Sequence, residues 1–306
     1  MNIVKCEERY KSGEITKKKY KDTIYELHTC LFEYSKYIKN SYINSIEIKQ
    51  EYLVLKLNDG INLIYPMPDK SSAAFDILSF KSYEKDEINI IINLLDSNMV
   101  IFDIGANIGW HSINIAKYSK TARIYAFEPI NKIFDLLKNN ISLNKLNNIE
   151  VLNIGLSDRS EEQFFYFDRY ATAFTSLRNN LANENSVKIL AKVERMDDFI
   201  VNNNIKNLDF IKCDVEGAEL LVFKGGAESI KQYLPMVIVE MVRKWTASFN
   251  YHPNEIIKFF TAIGYQCFRL ENGKLIYFPF MDEETLDSNF LFLHEIKHKE
   301  KIKKFI

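Results

Sequence analysis

The chain is short of several things that narrow what it can be. Only four cysteines occur in 306 residues, Cys6, Cys30, Cys213 and Cys267, and none falls in C-x-x-C spacing. That argues against a disulfide framework or a zinc site and points to a reducing, cytoplasmic compartment. No apolar run approaches the roughly 20 residues that span a bilayer. The first residues, with Lys5, Glu7, Glu8 and Arg9, lack the apolar core of a secretory signal. Neither sign of charge is in excess, with 40 Lys plus Arg against 41 Asp plus Glu, which argues against nucleic acid as the main partner. The length suits one large domain with a substantial core and a smaller appendage.

What is present is organised around Met99 to His111. Val100, Ile101 and Phe102 are a short apolar run ending in Asp103, Gly105, Asn107 and Gly109, and a helical pattern begins at Ser112. A buried strand, a glycine turn and a helix open a nucleotide-binding α/β fold. The order Asp-x-Gly-x-x-x-Gly differs from the Gly-x-Gly-x-x-Gly of dinucleotide sites. A carboxylate at Asp103 repels the pyrophosphate of a dinucleotide but attracts the ammonium and sulfonium of S-adenosylmethionine. A second strand, Arg123 to Phe127, ends in Glu128 and Pro129, where this fold sets an acid on ribose hydroxyls.

Upstream, residues 1 to about 43 carry helical spacing through Tyr20, Ile24, Leu27, Leu31, Tyr34 and Ile38. Lys17 to Lys19 reads as a solvated helix face. Two β-rich runs, Ile46 to Leu57 and Ile61 to Tyr65, flank Asn58-Asp59-Gly60, a hairpin signal closed by Pro66 and Pro68. Residues 71 to 97 return to helix. The expected division is an N-terminal α+β appendage over 1–69, a main domain over 70–296 and a frayed basic tail over 297–306.

The main domain alternates strand and helix: 100–102, 110–119, 123–127, 131–144, 149–154. This implies a parallel sheet covered on both faces, with ligands at the carboxyl strand ends. Ser157 and Asp158 fall at one such end, either as a plain turn or facing an adenine amine. Residues 163 to 196 break the rhythm and suit a cover over an acceptor. Phe164 and Phe165 there read as local core, and Tyr166, Arg169, Tyr170 and Thr175 are candidate acceptor contacts. The strand Leu208 to Cys213 delivers Asp214, Glu216 and Glu219 around Gly217, and Val237 to Val239 ends in Glu240. A helix N-terminus accounts for Glu219. Asp214 or Glu216 reads as a general base or acceptor-orienting group. Asp214 and Glu240 could share a divalent metal, a requirement the sequence leaves undecided. His111, ahead of His252 and His294, is a further base candidate. From Tyr265 onward a hairpin-like pair and Phe290 to Leu293 fit an antiparallel edge.

Taken together, Phe102 to Gly109, Phe127-Glu128-Pro129, Gly155 to Asp158, Val193 to Phe199, Ile211 to Glu219 and Ile238 to Glu240 are similar to the FkbM family of S-adenosylmethionine-dependent methyltransferases. The resemblance covers about residues 98 to 293, and the block from Asp214 to Glu219 is its most specific part. It implies an α/β, Rossmann-like, seven-stranded class I methyltransferase sheet with an antiparallel edge. It also implies methyl transfer to oxygen, often on a sugar or a natural-product hydroxyl. By that carry-over Asp103, Gly105, Asn107 and Gly109 hold the methionine part, Glu128 the ribose, and Asp158 with Ser157 the adenine. Asp214, Glu216 and Glu240 then line the reaction side. A sugar acceptor, nucleotide-linked or not, for a surface glycan suits clustered acids. A natural-product or amine acceptor, a dinucleotide-dependent oxidoreductase and a catalytically silent binding subunit are the alternatives.

Overall fold

The computed structural model describes all residues except 1, 67–68, 169–170, 179–185, 272 and 306, with only the backbone for 171–174. The chain begins with α1 (Ile3–Lys11) and α2 (Lys17–Tyr37), followed by β1 (Ile43–Ile48), β2 (Leu53–Leu57) and β3 (Asn62–Tyr65). The single N-terminal helix expected from spacing is two, because Gly13 turns left-handed at φ +78 and the Thr16 side chain caps a new start at Lys17, accepting from the Lys19 amide. The run expected over Ile46 to Leu57 likewise folds back, with the Lys49 amide donating to the Tyr52 carbonyl at 2.9 Å. The three strands form an antiparallel meander. Its edge strand β3 is tied down across the molecule rather than left open. The Ile64 amide donates to Asn140 Oδ1 at 2.8 Å, and the Asn62 amide to Asn144 Oδ1 at 2.8 Å.

Next come α3 (Ala73–Phe80) and α4 (Lys85–Leu94), where one helix over 71–97 was expected. Lys81 at φ 63 and Glu84 at φ 42 break the pattern. The alternating part then runs β4 (Val100–Ile104), α5 (Trp110–Tyr118), β5 (Arg123–Phe127), α6 (Asn131–Leu143) and β6 (Ile149–Leu152). The inserted region is β7 (Gly155–Ser157), β8 (Glu161–Asp168), β9 (Ala171–Ser176) and β10 (Ser186–Arg195), a second sheet in the order β7-β10-β8-β9. The chain closes with α7 (Met196–Asn202), β11 (Phe210–Cys213), α8 (Glu219–Gly225), α9 (Ala227–Tyr233), β12 (Met236–Glu240), α10 (Arg243–Ala247) and α11 (Asn254–Thr261). After these come β13 (Tyr265–Glu271), β14 (Lys274–Tyr277), β15 (Asn289–His294) and α12 (Lys299–Phe305).

The main sheet has the order β14-β13-β15-β12-β11-β4-β5-β6. Its β12-β11-β4-β5-β6 portion is parallel and β15, β13 and β14 add antiparallel. This is the class I methyltransferase arrangement with an antiparallel edge, one strand wider than the expected seven. On one face Phe102 packs edge-on against Phe127 and Phe199 at 5.1 and 5.8 Å, and α7, α8 and α11 cover it. On the other, Ile101 and Ile124 meet α4 and α5. Each such buried side chain contributes about 1.5–3 kcal/mol. The meander joins this core through Leu55, Leu63, Trp110 and Leu137. The expected frayed tail is instead α12. Its Ile302 is buried and its Lys301 bonds the Leu94 carbonyl at 2.6 Å and Asp96 at 2.9 Å. Among the described residues no helix is long and apolar enough to cross a membrane.

Candidate active site

The parallel register sets the carboxyl ends of β4, β5, β11 and β12 side by side around a cavity of about 380 Å³. At β4 the backbone turns through Gly105 (φ 79) and Asn107 (φ 49) into α5. A Cβ on Gly105 would lie 1.9 Å from the Asp214 carbonyl oxygen. The glycine turn and the acidic loop are thus in backbone contact, and only glycine fits there. Gly109, outside the cavity lining, caps α5 at φ 92 and packs under Leu137.

Glu128 lines the cavity and is buried, accepting from the amides of Asn107 at 3.1 Å and Ile130 at 3.0 Å. Burial pushes its pKa up to about 7 despite those two donors. Asp103 sits one layer beneath, fully buried on the α5 side of the sheet, where Oδ2 accepts from the Ser112 hydroxyl at 2.5 Å. Its Oδ1 has no hydrogen-bond partner among the described residues. Leu156 lines the cavity, whereas Ser157 is buried behind it and Asp158 pairs with Arg159 at 3.1 Å.

The opposite end is acidic. Asp214, Glu216 and Glu240 bring carboxylate oxygens within 4.8 Å of one another. Burial and the neighbouring Asp214 push Glu240 up to about 10, and burial also pushes Glu216 well up. Against its own burial, Asp214 is held below the usual range, chiefly by Lys212, whose ammonium donates to Oδ2 at 3.0 Å. Asp214 and Glu240 are also hydrogen-bonded. Their surroundings push the two apart, Glu240 toward its neutral form and Asp214 toward its ionised one. Glu219 braces this loop instead of facing the cavity. It accepts from the amides of Val215 at 3.1 Å and Gly217 at 3.0 Å, and the Tyr251 hydroxyl lies 3.2 Å from Oε2.

Several groups in or beside the cavity carry no local motif. Lys212 is the exception, since a lysine inside a buried strand demands an ionic partner. Register sets it beside Asp103. Tyr83, Glu84 and Trp110 also line the cavity, and the Trp110 indole N–H is buried without a partner among the described residues. His111 lines the same wall, 2.9 Å from Glu87 and 3.4 Å from Glu84. Burial and Lys212 push its pKa down, yet the two carboxylates outweigh them and the net shift is upward. His252 and His294 lie off the cavity.

From the inserted sheet, Phe165, Thr175 and Leu177 line the cavity and Tyr166 does not. Arg169 and Tyr170 lie outside the described residues. Phe164 is not core. It is 50% exposed under the Lys188 ammonium, because alternation along β8 turns Phe165 and Phe167 inward instead.

A family model for the Methyltransferase FkbM domain matches residues 103–267. The methyltransferase sdnD of Sordaria araneosa is 30% identical over 189 residues, covering 53% of this chain and 73% of that protein. The hexuronic acid methyltransferase AglP of Haloferax volcanii is 31% identical over 158 residues, covering 52% of this chain and 62% of that protein. A crystal structure of an FkbM methyltransferase from Methylobacillus flagellatus aligns with a TM-score of 0.42 and 18% identity, over 71% of this chain and 52% of that one.

Proposed function

Because the chain belongs to the FkbM family of S-adenosylmethionine-dependent methyltransferases, we propose that its acceptor is a hydroxyl of a sugar, free or nucleotide-linked, destined for a surface glycan. The observation that carries this reading is the cluster of Asp214, Glu216 and Glu240 on the cavity wall, with carboxylate oxygens within 4.8 Å of one another. Such a wall presents several carboxylate acceptors to the hydroxyls of a polyhydroxylated molecule. The similarity to AglP, a hexuronic acid methyltransferase, supports a sugar acceptor. A cytoplasmic location fits four cysteines that stand free of one another.

The cavity suits the donor. Gly105 and Asn107 line it on the turn after β4, the buried Asp103 keeps an unpaired oxygen beneath that turn, and Glu128 lines it with a carboxylate. S-adenosylmethionine supplies, when bound, an electrophilic methyl group on a sulfonium. We assign Gly105 and Asn107, backed by Asp103 and Gly109, to its methionine part. Glu128 takes the ribose, and the strand end at Gly155 and Leu156, which lines the cavity, takes the adenine. Asp214 receives the proton that the acceptor hydroxyl loses, while Lys212 fixes Asp214 and Glu240 donates to it. Glu216 and His111 orient the acceptor. Positioning supplies most of the acceleration, since the methyl group is already activated.

Glu128 makes donor binding pH-dependent. Its carboxylate is needed for two ribose hydroxyls, and the free protein holds the group near pKa 7. Affinity for S-adenosylmethionine therefore rises about tenfold from pH 6 to pH 8, as expected for one proton released. Calorimetry in buffers of different ionisation enthalpy measures this, and Glu128→Gln should flatten the dependence. The acceptor is tested by incubating the protein with methyl-labelled donor and UDP-glucose, UDP-glucuronic acid, and the free sugars. Label retained on a sugar oxygen supports the reading. Label accepted only by amines or by apolar natural-product hydroxyls rejects it.

A further inference from the structure

Helices α4 and α5 bring Glu84, Glu87 and His111 together, and the methyl-transfer reading uses neither glutamate. One ligand atom from each of the three lies within 4.8 Å of the others. His111 Nε2 is 2.9 Å from Glu87 Oε1 and 3.4 Å from Glu84 Oε2. Two ligands each ~2.1 Å from one ion stand ~3.0 Å apart at a right angle and ~3.4 Å apart at a tetrahedral one. The two His111 spacings fit that geometry, and 2.9 Å is equally the length of a histidine–carboxylate hydrogen bond, so the spacing alone does not make a site.

A second observation is independent of this spacing. Glu84 Oε2 and Glu87 Oε2 are both shut off from solvent without a hydrogen-bond partner among the described residues, and Glu87 is only 7% exposed. An imidazolium offers a single Nε2–H, which goes to Glu87 Oε1 and leaves both Oε2 atoms unpaired. Buried carboxylate oxygens without partners are costly. Lys212, the nearby ammonium, is already bonded to Asp214. Two carboxylates and a neutral imidazole carry two negative charges, which match one divalent cation.

We propose that Glu84, Glu87 and His111 bind one divalent transition-metal ion of the Mn²⁺ or Zn²⁺ class. Imidazole with two carboxylates selects this class over Mg²⁺. Glu84 and His111 line the reaction cavity, so the open positions of the ion take an acceptor oxygen. That last role rests on the sugar-acceptor reading, whereas ion binding does not.

The test uses the full chain, stripped with chelator and titrated with MnCl₂ and separately with ZnCl₂, without donor or acceptor. Manganese EPR and calorimetry should report one ion per chain, with affinity reduced at least tenfold in Glu87→Gln. Glu84→Gln gives a second comparison should the first variant fail to fold by thermal unfolding. No binding by the wild type, or equal affinity in folded variants, overturns the proposal. Binding lost in Asp214→Asn rather than in Glu87→Gln moves the ion to the other acids and overturns it too. A sugar screen that fails while the ion binds counts against the acceptor alone.

Discussion

Asp214→Asn is expected to lower methyl transfer by about 10²–10⁴-fold, the range removed with a positioned general base, while S-adenosylmethionine affinity stays within about threefold. The asymmetry follows from where the residue stands. Asp214 is a half-buried carboxylate that accepts from Lys212 at 3.0 Å and clusters with Glu216 and Glu240, whereas the donor's ribose is assigned to Glu128. An amide preserves the shape and can still accept from Lys212, but it cannot take a proton. Single-turnover assays with labelled donor and the acceptor from the sugar screen measure the loss. Calorimetry of donor binding provides the control. Unchanged turnover would remove Asp214 from the role of base and leave His111 or Glu216 to take the proton.

The second large effect is expected from Gly105→Ala. A left-handed φ of +79 costs an L residue about 1–2 kcal/mol. The added methyl must also occupy space 1.9 Å from the Asp214 carbonyl oxygen. That contact is backbone against backbone, so the turn and the acidic loop must separate. Donor affinity should fall at least about 100-fold, with a stability loss of about 2–4 kcal/mol. Gly273→Ala isolates the conformational part, because Gly273 has φ +75 with nothing within 4 Å of its Cβ. A Gly105→Ala variant no worse than Gly273→Ala in denaturant melts and donor titrations would refute the backbone-contact account.

Much of this was legible along the chain because each piece of it is local. The strand Arg123 to Phe127 shows as an apolar run, and Glu128 follows from its end. The glycine turn after β4 and the acids after β11 are contiguous motifs, so their position on the sheet follows from alternation alone. The breaks at Gly13 and at Lys81 to Glu84 were not legible. Helical spacing survives a short interruption, and only the left-handed backbone reveals it. Asp158 illustrates the opposite case. Its strand end was anticipated, yet the side chain turns to Arg159.

The sequence by itself determined the parallel core, the glycine turn and the acid-bearing strand ends, since periodicity and short-range turn chemistry are properties of neighbouring residues. Tertiary structure alone decided what surrounds them. Tyr83, Glu84 and Glu87 come from a helix start that carries no motif, and they meet His111 only because α4 packs on α5. Lys212 acquires its meaning from register, which sets it beside Asp103 and within reach of Asp214. Protonation belongs to the same class. Burial and Asp214 push Glu240 up while Lys212 holds Asp214 down, and two carboxyl groups on a linear chain carry no sign of which will ionise more readily.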